Sequence, residues 1–125
     1  MFIFYNPEFK LPKGIYILTL KEKDGPNDKA SNVDRDGIYR LNLGISKSTF
    51  ISLFHEIPKR PSAGNTIDTG HDFTKVDEIM PHPVYGWMSW IGVLNPSRET
   101  FERLKPLIDE GVKLAQQKYQ KKVKP

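Results

Sequence analysis

The sequence predicts an α+β domain, a mainly antiparallel sheet with helices packed on one face. Three observations carry that expectation. Gly14 to Lys23 and Gly37 to Ile45 alternate apolar and polar residues with a period of two. Gly86 to Leu94 is a third strand-like run, rich in large residues. Two serine-capped stretches with helical apolar spacing each follow one of these strands.

The elements follow in order. Phe2-Ile3-Phe4-Tyr5 is a short strand closed by Asn6-Pro7. In the strand from Gly14, Tyr16, Leu18 and Leu20 are expected on the buried face and Thr19 and Lys21 on the other. A polar loop over 24–36 leads to the next strand, whose Tyr39, Leu41, Leu43 and Ile45 share a face. The two strands are expected to pair as a hairpin with a long loop, a length associated with function or mobility. Ser46 caps a helix carrying Phe50, Leu53, Phe54 and Ile57, which Pro58 should stop. Glu56 to Gly70, with two prolines and two glycines, is a connector. Thr74 to Asp77 fits a capping box opening a short helix before Pro81 and Pro83. Ser97 caps the last helix, which Pro106 should kink or split, with Phe101, Leu104, Ile108, Val112, Ala115 and Tyr119 as its buried stripe. Trp87 and Trp90, three apart in a strand, should face opposite ways, one into the core and one toward a groove.

Both strand-to-helix junctions read Ser-x-x-Thr-Phe-x-x-Leu, from Ser46 and again from Ser97. The shared need for a cap and a first apolar anchor explains the echo without a repeat architecture.

Size and charge narrow the function classes. The chain has 125 residues, enough for one domain with its own core. No run is long and apolar enough to span a membrane, and no signal-peptide pattern is read at the start of the sequence. With no cysteine there is no disulfide, thiolate ligand or cysteine nucleophile, which fits a soluble protein of the cytoplasm. The formal charge is +4, but five lysines (Lys113, Lys118, Lys121, Lys122 and Lys124) lie in an acid-free C-terminal stretch. Without them the chain holds fourteen basic and fifteen acidic residues. The division expected is a domain over 1–116 and a basic, frayed tail over 117–125. Such a tail supports weak, sequence-blind contact with nucleic acid and no specific recognition.

Asn32 to Gly37 imitates the start of an EF-hand loop, but Leu43 stands where the bidentate glutamate belongs. It reads as an Asx-rich turn. The densest chemical cluster is Gly70-His71-Asp72-Phe73-Thr74 with Pro81-His82-Pro83-Val84-Tyr85-Gly86-Trp87. An imidazole oriented by a carboxylate can act as a base or hold a metal. Zinc wants a third ligand, and His55 lies on a predicted helix elsewhere, so no metal and no cofactor are expected. No Gly-x-Ser-x-Gly elbow, Walker loop or His-Glu-x-x-His is present. The favoured reading is a non-enzymatic binding domain for a small molecule, its groove formed by His71, Asp72, His82, Tyr85 and Trp87. The alternative is an enzyme with His71 or His82 as general base and Asp72 orienting it.

Leu18 to Asp24, Tyr39 to Phe50, His71 to Phe73 and above all Met80 to Phe101, with Pro81-His82-Pro83 and Asn95-Pro96-Ser97, resemble an uncharacterised bacterial family, domain-of-unknown-function family 6194. The resemblance covers nearly the whole chain and implies a fold more than a function. Its members carry a further N-terminal segment, read as helical, before the Phe2–Tyr5 strand, so it implies a sheet edge without that cover. An open edge invites strand pairing between chains, which makes a homodimer an arrangement the fold allows. The C-terminal strand-tryptophan-strand-helix order is also similar to MmcQ/YjbR-like proteins, a likeness of architecture that implies a link to DNA binding.

Overall fold

The computed structural model describes residues 1–123, so Lys124 lies outside the described residues. Five strands form one antiparallel sheet in the order β1-β2-β3-β5-β4. They are β1 (Phe2–Tyr5), β2 (Ile15–Lys21), β3 (Arg40–Gly44), β4 (Met80–Pro81) and β5 (Trp90–Leu94). Two helices, α1 (Lys47–Phe54) and α2 (Arg98–Val123), complete the α+β fold. No helix among the described residues is long and apolar enough to cross a membrane.

β2 and β3 pair as the long-looped hairpin that their alternation predicts. Leu18 opposite Leu43 and Leu20 opposite Leu41 fix the helix-facing side. The expected facing of Tyr16 is corrected by a β-bulge. Where β1 steps from Ile3 to Phe4, β2 steps from Leu18 to Tyr16, so Ile17 is the extra residue. Ile17 and Leu18 are therefore both buried, and Tyr16 turns to the opposite face against Phe2 and Phe4.

α2 lies on the helix side of the sheet. It approaches closely at Gly111, where an added Cβ would meet the carbonyl oxygen of Gly44 at 2.9 Å and Leu43 at 3.2 Å. The buried line is Thr100, Leu104, Gly111, Ala115 and Tyr119, with Ile108 and Val112 half-buried against the same core as expected; of the expected stripe only Phe101 is exposed. Pro106 neither splits nor ends the helix. It is exposed, and the carbonyl it leaves without a donor, on exposed Glu102, can be met by water. The basic end expected as a tail from residue 117 is helical to Val123, and buried Tyr119 donates to the Pro7 carbonyl at 2.8 Å.

Both serine caps form as the sequence implies. The Ser46 and Ser97 hydroxyls accept from the N–H groups of Thr49 (3.1 Å) and Thr100 (3.2 Å). The carboxylate of Glu110 on α2 accepts from the Ser46 N–H (2.6 Å) and the Thr49 hydroxyl (2.8 Å), tying the helices together. α1 ends earlier than Pro58 requires, because His55 adopts φ 78°. The expected helix after Thr74 is absent. Asp72 accepts from the N–H and hydroxyl of Thr74, while Asp77, at φ 60°, turns its carboxylate to the Ser97 N–H. The strand expected from Gly86 starts only at Trp90: Gly86–Met88 is a 3-10 turn ended by Ser89 at φ 66°. The unexpected β4 precedes it, with Pro81 tolerated because this strand is the sheet edge.

Opposite α2, loops cover only half of the sheet. Ala30 from the β2–β3 loop packs with Ile67, Phe73 and Met80 over the β4–β5 end. Over β1 and β2 that face stays open, with Phe2, Phe4 and Tyr16 exposed.

Candidate functional site

A groove of about 610 Å³ runs along the boundary between the covered and open halves. Phe2, Tyr16, Tyr85 and Trp90 supply aromatic walls, and Thr19, Asn42, Asp28 and His82 supply polar groups. A larger concavity of about 1170 Å³ lies on the helix side, walled by Ile3, Leu18, Leu20, Leu41, Phe101 and Ile108. Its charged neighbours such as Asp36 and Arg98 point to solvent, so it lacks the convergent buried polar groups that mark a specific site.

The base of the groove is a continuous hydrogen-bond chain. Asn42 donates to the Thr19 hydroxyl at 3.1 Å and accepts from Nε of Arg40 at 2.6 Å. Arg40, 2% exposed, donates through Nη1 to Ser31 (2.9 Å) and to Oδ1 of Asp28 (3.1 Å), and through Nη2 to Oδ2 of Asp28. Two glycines make room. An added Cβ at Gly92 would meet the Arg40 side chain at 3.1 Å, and one at Gly44 would meet the Trp90 indole at 3.1 Å.

His82 packs against the chain from the other side without a hydrogen bond to it. Its Nδ1 accepts from the N–H groups of Val84 and Tyr85, both at 3.0 Å, in the turn that Pro81 and Pro83 frame. That assigns the ring proton to Nε2, which faces Asp28 Oδ2 at 3.9 Å and Arg40 Nη2 at 3.2 Å. Burial, then the Arg40 guanidinium, push the His82 pKa down to about 3 against the opposing pull of Asp28. The imidazole is therefore neutral near pH 7. The Arg40 and Asp28 charges cancel, and the two further charged residues lining the groove, Lys21 and Glu22, are opposite in sign, so the groove carries no net charge.

Of the residues expected to line one groove, the fold brings His82 and Tyr85 together, their rings 5.1 Å apart. Trp87 stands next door, in a recess it shares with Tyr85 and the 60–65 loop, its ring under the Arg60 guanidinium at 4.7 Å. His71 lies apart, its Nδ1 2.7 Å from the Thr69 hydroxyl and its ring against Phe54 and Phe73. Asp72 is exposed and bonded to Thr74, whose hydroxyl and N–H hold its carboxyl below the usual range. The acid that faces His82 is Asp28, not Asp72. Both tryptophans are half-buried, so neither is the core residue expected.

Spacing alone conceals Asp28, Arg40, Asn42 and Thr19. The available signal was the strand itself: Arg40 and Asn42 alternate with Leu41 and Leu43, placing a cation on the face across from the core. Asn32 to Gly37 serves as scaffold for this loop. Asp24 and Asp34 exchange hydrogen bonds with each other's surroundings, Asp34 accepting from the Asp24 N–H and Asp24 from the Val33 N–H.

The model of a family of unknown function, DUF6194, matches residues 1–124. The chain belongs to that family. No curated protein and no solved structure matches it, and the likeness to MmcQ/YjbR-like proteins is not shown. For this DUF6194 member, membership shows the fold, and any function lies in the residues of its sites.

Proposed function

We propose that the chain is a non-enzymatic binding domain that takes an uncharged, planar ring compound in the groove of Tyr16, Thr19, Asn42, His82, Tyr85 and Trp90. The observation that supports this reading is the pairing of aromatic walls with an internally neutralised polar base. Ring faces of Tyr85, Trp90, Tyr16 and Phe2 offer stacking surface, worth about 0.5–1.5 kcal/mol per well-placed pair beyond the area buried. The Thr19 hydroxyl proton and the second Asn42 amide proton can donate to the ligand edge, and Asp28 has lone pairs left to accept. A charged ligand gains nothing from a base whose own charges already cancel, and would lose its hydration.

The same geometry weighs against His82 as a general base. Its Nδ1 lone pair is committed to two backbone N–H groups, and its Nε2 carries the proton.

The test is fluorescence titration with a panel of neutral heterocycles: indole, adenosine, uridine and lumichrome. Saturable binding by at least one, retained in Trp87→Phe and lost in Tyr85→Ala with Thr19→Val, is expected. Binding by none, or binding indifferent to the Tyr85 and Thr19 changes, contradicts the proposal.

A further inference from the structure

We infer that β1 is an interface for a second copy of this chain, which adds its own β1 antiparallel and joins two sheets into one of ten strands. The two sheet edges are built differently. β4 is two residues long and bracketed by Pro81 and Pro83, a blunted edge. β1 has four residues, none charged and none proline, and nothing among the described residues pairs with its outer side. Phe2, Ile3, Phe4 and Tyr16 are 62%, 46%, 48% and 48% exposed. At about 200 Å² for a full aromatic side chain, these residues expose roughly 400 Å² per copy. Phe2, Phe4 and Tyr16 lie on the groove face and Ile3 on the helix face, so strand pairing covers part of it and the edge backbone adds the rest of the contact.

The backbone also fixes a register. The Leu20 N–H donates to the Met1 carbonyl, and Ile3 stands opposite Leu18. Alternation then directs the polar groups of Ile3 toward β2 and those of Phe2 and Phe4 outward. Two copies satisfy these outward groups when Phe2 lies opposite Phe4 of the partner subunit and Ile3 meets its own counterpart on the two-fold axis. A two-fold axis perpendicular to the sheet keeps both grooves on the same face. Phe2 lines the groove, so the partner's Phe4 extends that aromatic wall. The inference is independent of which ligand the groove takes.

The absence of cysteine makes a single introduced thiol an unambiguous probe. In this register the two Ile3 Cα atoms form a non-hydrogen-bonded pair about 4.5 Å apart, within the 4.4–6.8 Å range of disulfides. Ile3→Cys in the full chain should oxidise to a covalent dimer at least about tenfold faster than Glu22→Cys, an exposed control limited by random collision. Wild type should sediment as a dimer at about 100 µM, and Phe4→Pro as a folded monomer by circular dichroism, because the lost N–H points away from β2. A monomeric wild type overturns the inference. So does a dimer that survives Phe4→Pro, or one in which Ile3→Cys couples no faster than the control, since each places the contact elsewhere.

Discussion

Nε2 of His82 and Nη2 of Arg40 lie 3.2 Å apart, two buried nitrogens facing the single carboxylate of Asp28. The three residues come from a β4–β5 turn, a central strand and a long loop, 12 and 42 positions apart from Arg40. The Arg40–Asp28 ion pair fastens the polar loop to the sheet, and with His82 beside it sets the electrostatics of the groove.

Removing Asp28 leaves a buried guanidinium without its counterion. Asp28→Ala should cost about 2–3 kcal/mol in urea unfolding, less than a fully enclosed pair because Asp28 itself is partly exposed. Adding Arg40→Met to that variant should recover part of the loss, since the unpaired charge is then gone. Equal stability of Asp28→Ala and wild type would show that the loop is held by other contacts.

The low pKa of His82 makes stability depend on pH in a defined direction. Between about 3 and the ordinary 6.5 the unfolded chain binds a proton that the folded chain refuses. The contribution is complete above about pH 6.5 and is lost as pH falls, at up to about 1.4 kcal/mol per unit. Arg40, Asp28 and Lys21 are the charged groups acting on the ring. His82→Asn, whose side-chain oxygen can take over the two backbone N–H groups, should flatten the urea-derived profile between about pH 7 and pH 5.

The local rules were legible in the sequence. Period-two alternation locates β2 and β3, and the two Ser-x-x-Thr units locate both helix starts, because caps and alternation are properties of neighbouring residues. The bulge at Ile17 and the proline-containing β4 depend on pairing partners, and the end of α1 on the left-handed backbone at His55, and all three were hidden. The site divides the same way. His82 and Tyr85 stand three apart in one turn and were found together. His71 and Asp72 are close to them in sequence only, since the extended segment between Asp77 and Met80 carries the chain back into the sheet. Arg40 stayed hidden, because nothing local announces that Asp28 will fold over it.

Gly111 inverts the usual helix preference. Alanine is favoured over glycine inside a helix by about 1 kcal/mol. Here the added methyl meets the Gly44 carbonyl at 2.9 Å, backbone that cannot turn aside. Gly111→Ala should therefore destabilise by about 1–3 kcal/mol, as overpacking does, and lower the thermal midpoint. A gain in stability would mean that α2 can lift from the sheet without penalty.

We expect the basic end of α2 to make only non-specific contact with nucleic acid. Lys118→Gln, Lys121→Gln and Lys122→Gln together should abolish gel-shift binding to duplex DNA at low salt and leave the thermal midpoint nearly unchanged. Deleting residues 117–125 is a poorer test, because it also removes buried Tyr119 and its bond to Pro7. DNA binding by the triple variant at about 200 mM salt would place a nucleic-acid surface on the body of the domain.

The most direct measurement is amide chemical-shift mapping of the full chain titrated with indole, adenosine, uridine and lumichrome. Saturable shifts clustered at Thr19, Asn42, Asp28, Tyr85 and Trp90 are predicted for at least one of them. No saturable shifts, or shifts centred on Leu41, Phe101 and Ile108 across the sheet, would contradict the groove as the binding site.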